Sequence, residues 1–454
     1  MPLSARVAPL PGAARHAPYG PIAKAIAAEL ARAPDIDAAV GRFYRDRDDR
    51  AIWVRGWRLK PEAETLVERV HAARGDGLDP QAYGGAALAE AVARAGSGQP
   101  DDLARAEVAL SAALARWGRD LHTPATDVGM IYADPAVAPP QVDELGVLQL
   151  AARTSPAAAI ARLAHMNPLY EQLRAALAAW RARGGSASGA RTILANLERA
   201  RALPPDLGRR YVLVDAAAQK LWLYEDGRPA DSMDVVVGKL SEPTPAMAGL
   251  IRFAVAHPYW NVPPDLVRDS IAPKVLRYGT SYLASQNMEV LSDWTPNATV
   301  LPPASVDWRA VASGARILRV RQRPGDGNMM GQVKFVFPNQ LGVYLHDTPL
   351  RQFFAQARRT ESAGCVRLAD APRLARWLLG DDARLLTEPG EPEERVNLPE
   401  PVPVYIVYLT ASPGPQGLVF HPDVYRRDAK LEASLTKARS VSPAPLPAKP
   451  QKAA

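Results

Sequence analysis

The stretch ESAGCVRL (361–368) holds Cys365, the one cysteine in 454 residues, so no intramolecular disulfide can form. A free cysteine is most often a small buried hydrophobe. The neighbours of this one have other uses. Gly364 removes a side chain just before the sulfur, which lets the backbone N–H groups of 364 and 365 approach a reacting carbonyl as an oxyanion hole. Ser362 and Arg367 add polar groups that a purely structural site does not need. An ordinary thiol, with a pKa of about 8.5, is mostly protonated at neutral pH and requires a base or a positive field to react. His346, closing the run GVYLH (342–346), is the best base available. In an extended segment alternate residues share a face, so Tyr344 and His346 point together while Val343 and Leu345 point the other way. That pattern fits one apolar face and one reactive face. Taken singly, a hydrogen-bonded structural role stays open for His346, and a buried spare thiol for Cys365; taken together they fit nucleophilic catalysis by a thiol and an imidazole.

Other chemistries find less support. None of the seven histidines lies in an HExxH pattern, and no second cysteine exists to complete a zinc site. No metal or other cofactor is therefore expected. The formal net charge of +7 suits an anionic neighbour such as nucleic acid, a membrane surface or an acidic cell-wall polymer. The basic clusters are short, however: RQR at 321–323 and Arg pairs at 209–210, 358–359 and 426–427. None is interleaved with aromatics, which argues against a nucleic-acid partner.

The elements that must position these residues divide the chain in two. Residues 20–205 read as a mainly helical scaffold, with apolar residues at three- and four-residue spacing in IAKAIAAELARA, AETLVERVHAARGDGLDP and DDLARAEVALSAALARWGRDL. LYEQLRAALAAWRARGG continues the pattern, and GGSASG (184–189) reads as a flexible joint. From Tyr211 the texture becomes β-rich. Three short strands are expected over 211–238, with a turn at Asp226-Gly227, and further strands at 250–256, 316–322, 333–337, 342–346 and 402–411. A helix is predicted at about 372–379, with Asp370 as its N-cap and Gly380 just past its end. The segment of about 260–330 reads as an inserted, lid-like excursion of helical and loop-like texture. These readings give an α+β chain: a flexible segment 1–19, a scaffold 20–205, a β-rich domain 206–395, a C-terminal strand and return segment 396–436, and a disordered Pro/Ala/Lys tail 437–454. No run reaches the roughly 18 apolar residues of a membrane span. The first twenty residues lack the apolar core of a signal peptide.

His346 and Cys365, spaced H-x(18)-C within S-x-G-C-V-R, resemble the signature of the L,D-transpeptidase catalytic domain of YkuD type. VVVGKLSEPTPAMAG (235–249), PYWNVPPDLVRDSIAPKVL (258–276), VKFVFPNQLGVYLHDTP (333–349) and VPVYIVYLTA (402–411) are similar to the large Gram-negative, YcbB-like branch. FYRDRDDRAIWV (43–54), GLDPQAY (77–83), VALSAAL (108–114) and NLERARALPPDLGRRYVLV (196–214) extend the resemblance over roughly residues 20–430. One feature departs from that branch. Only residues 181–195 separate the two runs between which a peptidoglycan-binding module commonly lies, so the module is expected to be missing.

The resemblance implies a cysteine nucleophile, Cys365, served by His346, with the Gly364 and Cys365 N–H groups as oxyanion hole. It implies cross-linking of peptidoglycan stem peptides through a thioester, with the amine of meso-diaminopimelate as acceptor. The link made is 3-3, or 1-3 with L-alanine as donor. Water in place of the amine gives an L,D-carboxypeptidase or cysteine peptidase, and loss of chemistry gives a cell-wall scaffold. Asp347 is expected behind His346, because its side chain leaves on the opposite strand face. Tyr344 and Thr348 are expected to line the pocket, and Trp260, with Tyr259, to belong either to the lid or to a core. Arg367 either grips a substrate carboxylate or, the favoured reading, locks its loop by bonding backbone carbonyls. The expected location is the periplasm after removal of a leader, with stem peptides and cell-wall synthesis proteins as partners.

Overall fold

A computed structural model describes residues 20–32, 37–386, 388–414 and 417–440. The expected flexible segment 1–19 and the tail beyond residue 440 lie outside them. The fold is α+β, in two compact units. Of the described residues, those within 20–123, 141–165 and 438–440 group in one unit, and those within 124–140 and 166–437 in the other.

The first unit is helical and organised on Pro100–His122. This helix starts with Pro at its first turn and carries Asp101 and Asp102 there, favourable next to the exposed N–H groups. Its buried face includes Leu103, Leu110, Leu114, Trp117 and Leu121. Glu107, fully buried, is enclosed by donors: Tyr44 Oη at 2.8 Å, the Ile52 N–H at 2.5 Å and the Trp53 N–H at 3.0 Å. A buried carboxylate with that many donors is a fastening point for the 44–53 segment.

The second unit holds Cys365 and His346. Its strands are β1 (Arg210–Asp215), β2 (Lys220–Glu225), β3 (Arg228–Gly238), β4 (Ala246–Ala256), β5 (Trp260–Val262), β6 (Met288–Leu291), β7 (Arg319–Gln322), β8 (Val333–Val336), β9 (Leu345–His346), β10 (Thr360–Ser362), β11 (Val366–Leu368) and β12 (Glu394–Val407). The expected turn at Asp226-Gly227 is a tight one with both residues at positive φ (48° and 75°). In the main sheet the pairing runs β8-β9-β11-β3-β2-β1-β12-β4 and returns from β4 to β8, so the ring closes. Met130–Tyr132 adds to β4, and β10 to β3. Inside pack Val212, Leu221, Val235, Ile251, Phe335, Leu345, Val366 and Ile406, joined by the helix Ala371–Leu379. Asp370 caps that helix by accepting the Arg373 N–H at 2.9 Å, and Gly380 ends it, as the sequence predicts.

Several expectations need correction. The strand predicted over 342–346 is only Leu345–His346. The strand expected in the segment 396–436 is β12, which begins slightly earlier, at Glu394, and lies between β1 and β4 in the ring. The tail boundary predicted at 437 falls inside a helix, which runs Asp428–Ser440. GGSASG is a close helix–helix turn rather than a loose joint. Gly184 takes φ 69°, and Ser186 caps the next helix, Ala187–Arg201, by accepting the Gly189 N–H. The helices Pro168–Ala182 and Ala187–Arg201 group with the β-rich unit, whereas the sequence places them in the scaffold. Asn196 donates to Thr410 Oγ1 at 2.9 Å, Arg199 pairs with Asp428 at 2.7 Å, and Leu431 and Leu435 pack on Ala195.

The insertion is more ordered than its loop-like texture suggests. It leaves the ring after Ala256 and re-enters at Val333, two residues that pair directly. Within it β5, β6, β7 and Val300–Leu301 form a four-stranded antiparallel sheet over a separate core of Val262, Ile271, Val275, Val290, Trp308 and Val320.

Candidate active site

β9 and β11 are parallel neighbours with Leu345 opposite Val366 and His346 opposite Arg367. Val366 N–H donates to the Tyr344 carbonyl at 3.0 Å, which continues the ladder. Side chains alternate along each strand, so His346, Tyr344, Arg367 and Cys365 fall on one face. Leu345, Val366 and Leu368, all fully buried, and Val343 fall on the other, in the core. The apolar-in, chemical-out alternation read from GVYLH and GCVRL thus has its physical origin in two short strands locked between larger ones.

His346 is buried, and its ring is held by carbonyls. Nδ1 lies 2.6 Å from the Asp347 carbonyl oxygen, and the Met330 carbonyl also faces the imidazole. Placing the proton on Nδ1, where it donates to Asp347, leaves the Nε2 lone pair free to accept a proton. Burial and then the Arg367 cation lower the His346 pKa to about 4, against the pull of the two carbonyls. The ring is therefore neutral at physiological pH, as a base must be.

Asp347 secures this arrangement from behind. Its side chain accepts from the Gln332 N–H at 3.0 Å and from Arg351 at 2.5 Å, and its N–H donates to the Val333 carbonyl at 2.9 Å. Gly331, at φ 63°, fits beneath it; a Cβ there would lie 2.3 Å from Asp347 Oδ2.

The loop carrying the thiol is fixed at both of its carbonyls. Ser362 Oγ donates to the Cys365 carbonyl at 2.6 Å, and Thr244 Oγ1 donates to the Gly364 carbonyl at 2.9 Å. Gly364 sits at φ 100°, outside what an L side chain takes readily. With both carbonyls engaged, the Gly364 and Cys365 N–H groups have no bonded acceptor among the described residues. Two fixed, unengaged donors beside a sulfur are the parts of an oxyanion hole. The thiol itself lies 3.5 Å from the Gly342 carbonyl and receives the Tyr344 N–H. Burial pushes its pKa above the ordinary thiol range, outweighing the Tyr344 N–H and the Arg367 charge, which both pull it down. Cys365 and His346 thus both rest uncharged.

Arg367 differs from its favoured reading as a loop lock. Its Nε and Nη1 are buried yet have no hydrogen-bond partner among the described residues. The half-buried guanidinium thus lies beside the thiol with two of its nitrogens unbonded among the described residues. Thr348 and Ser362 are buried and occupied locally, Thr348 by the Leu350 N–H. Tyr344 is half-buried at the thiol. Trp260 packs against the separate core of the insertion, one of the two places expected for it, and Tyr259 lies beneath Arg321 at 3.9 Å. Sequence reasoning missed Thr244, the Met330 carbonyl and the Gly342 carbonyl. Backbone oxygens carry no residue signature, and Thr244, between two prolines in EPTP, reads only as a turn.

Comparison with known proteins places these observations. The family model of the L,D-transpeptidase catalytic domain (YkuD) matches residues 209–406, and that of a scaffold domain matches residues 38–177. A Haemophilus influenzae protein named "Putative L,D-transpeptidase" is 30% identical over 284 residues, which is 60% of this chain. The chain spans about half of that relative's length, 55%. An L,D-transpeptidase from Mycobacterium smegmatis is 16% identical, covering 44% of this chain and 58% of that one, with a TM-score of 0.21. A mutant Enterococcus faecium L,D-transpeptidase is 15% identical over 45% of this chain and 51% of that one, also at 0.21. At such scores the superpositions carry no weight, and the sequence matches are what remain: residues 209–406 match the YkuD family of L,D-transpeptidase catalytic domains, and the chain is similar over 60% of its length to the Haemophilus influenzae protein.

Proposed function

We propose that the chain is a periplasmic L,D-transpeptidase that cross-links peptidoglycan stem peptides through a thioester on Cys365. The observation that supports this best is the shared face of β9 and β11, which carries thiol, imidazole and an unengaged guanidinium beside two unbonded N–H groups.

The chemistry follows from the neutral resting pair. As Sγ attacks the carbonyl carbon of a donor stem, His346 Nε2 accepts the thiol proton, so no free thiolate is required. The developing oxyanion receives the Gly364 and Cys365 N–H groups. When the C–N bond breaks, the imidazolium returns that proton to the departing amine and leaves a thioester. The amine of meso-diaminopimelate on a second stem then attacks the thioester, His346 takes its proton, and sulfur leaves and is reprotonated. Arg367 holds a carboxylate of the stem and so fixes which carbonyl meets the sulfur. The donor is either the position-three residue, giving 3-3 links, or L-alanine, giving 1-3 links.

Incubation with purified muropeptides followed by mass spectrometry tests the proposal, since the mass and fragmentation of the dimer identify the link. Absence of dimers from the parent protein, or equal dimer yield from Cys365→Ala, refutes it. Shortened stems without dimers identify a carboxypeptidase instead. A carbapenem adduct on Cys365 separates an active thiol from a non-catalytic scaffold.

A further inference from the structure

The Arg426-Arg427 pair lies far from Cys365 in sequence, and the reaction above gives it no task. In the fold it opens into a cavity of about 390 Å³. The floor is a stack of cations and rings. Tyr408 and Tyr425 lie nearly parallel, 5.1 Å apart. Arg427 sits over both, at 5.0 and 4.9 Å, and Arg199 over Tyr408 at 5.3 Å. At the rim Arg426 and Lys430 are exposed and make no ion pair among the described residues. Asp127 is the one acid in the lining, while Asp428 offsets Arg199 at 2.7 Å and Asp423, which accepts from Tyr408 Oη at 2.6 Å, offsets Arg199 and Arg427 from beneath. The surplus of positive charge therefore lies at the rim, on Arg426 and Lys430. Buried Arg199 also keeps an Nη2 with no hydrogen-bond partner.

One wall of this cavity is wired to the catalytic loop. Arg427 donates to the Thr244 carbonyl at 3.1 Å, and Tyr425 Oη donates to the Gly238 carbonyl at 2.7 Å. Thr244 is the residue whose hydroxyl holds Gly364. Apart from Ser434, the remaining lining is apolar, with Val128, Met130 and Leu431. A volume within the range of small-molecule sites, with cations converging at one side of an apolar wall, suits an organic anion better than a bare inorganic one.

We propose that this cavity is a second binding site, for a carboxylate-bearing peptide, and that its occupant is a second peptidoglycan stem. The identity of the occupant rests on the transpeptidase reading; the anion site does not. Isothermal titration of Cys365→Ala, which cannot turn over, with the stem tripeptide L-Ala-γ-D-Glu-meso-diaminopimelate measures the site directly. The comparison protein adds Arg426→Asn, tolerant of the φ of 55° there, and Lys430→Ala. Both side chains are exposed, and an unchanged melting midpoint certifies the fold. Loss of two charge-assisted contacts should weaken binding about tenfold or more. Equal affinity in the two proteins, or no binding to either, overturns the proposal, because any binding then belongs to the Arg367 face. Inorganic phosphate is the second arm: binding as tight as the tripeptide's overturns the assignment to a peptide. Failure of Cys365 to take a carbapenem refutes the transpeptidase reading without touching this titration.

Discussion

Thr244 and Gly364 stand 120 residues apart in sequence, yet one hydroxyl joins them: Thr244 Oγ1 accepts the Gly238 N–H at 2.8 Å and donates to the Gly364 carbonyl at 2.9 Å. A buried group bonded in both directions is costly to remove. Thr244→Val, similar in volume, leaves a buried N–H and a buried carbonyl unpaired and should cost roughly 2–4 kcal/mol in chemical denaturation. It should also slow acylation of Cys365, because the peptide plane before the sulfur loses its anchor. Thr244→Ser keeps the hydroxyl and should restore most of both. Equal stability of the valine and serine proteins contradicts the role given to the hydroxyl.

The neutral Cys365–His346 pair predicts a particular pH profile. A thiol raised above its usual range forms little thiolate at pH 7, and an imidazole with a pKa of about 4 offers no stabilising charge there. Alkylation of Cys365 by iodoacetamide should therefore climb steadily from pH 7 to 9. A preformed thiolate–imidazolium pair instead gives a plateau from acidic pH onward, and such a plateau excludes the neutral pair.

His346 also links stability to pH. Its folded pKa of about 4 lies below the ordinary unfolded value of about 6.5, so between these values the unfolded chain binds more protons. This contribution is complete above pH 6.5 and disappears as pH falls toward 4. Its size is roughly 3 kcal/mol. His346→Gln, which cannot titrate, should lose less stability than the parent over that window when both are unfolded in urea.

Gly331 tests the support behind the histidine. At φ 63°, with Asp347 Oδ2 2.3 Å from the place a Cβ would take, Gly331→Ala meets both backbone strain and collision. Asp347 cannot yield freely, because Arg351 and the Gln332 N–H hold it. A loss of about 1–3 kcal/mol and slower alkylation are expected. Gly327→Ala, with open space around it, should change neither and serves as the control.

Arg367→Lys retains a charge and discards the planar fork. If the guanidinium grips a stem carboxylate, KM for the donor should rise about tenfold while kcat changes less. A fall in kcat at constant KM points to a role in the chemical step instead.

The sequence is most informative where a residue type answers to one chemical need. Gly364 before the thiol, the alternation in GVYLH and the Asp370 cap each match the structure because a single local rule governs each. What stayed hidden depends on distant chain segments. The Met330 and Gly342 carbonyls act through backbone atoms, and Thr244 gains its meaning from a loop far along the chain. The helix Asp428–Ser440 has no clear apolar stripe, and much of its position comes from Arg199 and Ala195. GGSASG looks flexible by composition, yet Ser186 as a cap turns it into a helix start. Arg367 departs from its favoured reading as a loop lock because what an arginine's nitrogens meet depends on distant chain segments, and its Nε and Nη1 meet no acceptor among the described residues.

Ala256 and Val333 face each other across the β4–β8 seam, and His257 donates to the Gln332 carbonyl at 2.9 Å just beyond them. The whole excursion between them is therefore, to the ring, the loop of a hairpin. A hairpin loop can be exchanged at little loop-closure cost when its stem is intact. Most of this one folds on a core of its own, while its last residues, Met330 to Gln332, reach back to the histidine. The insertion is thus a separately packed unit whose two ends close on the ring as one seam, and whose last turn supplies the Met330 carbonyl to the His346 ring.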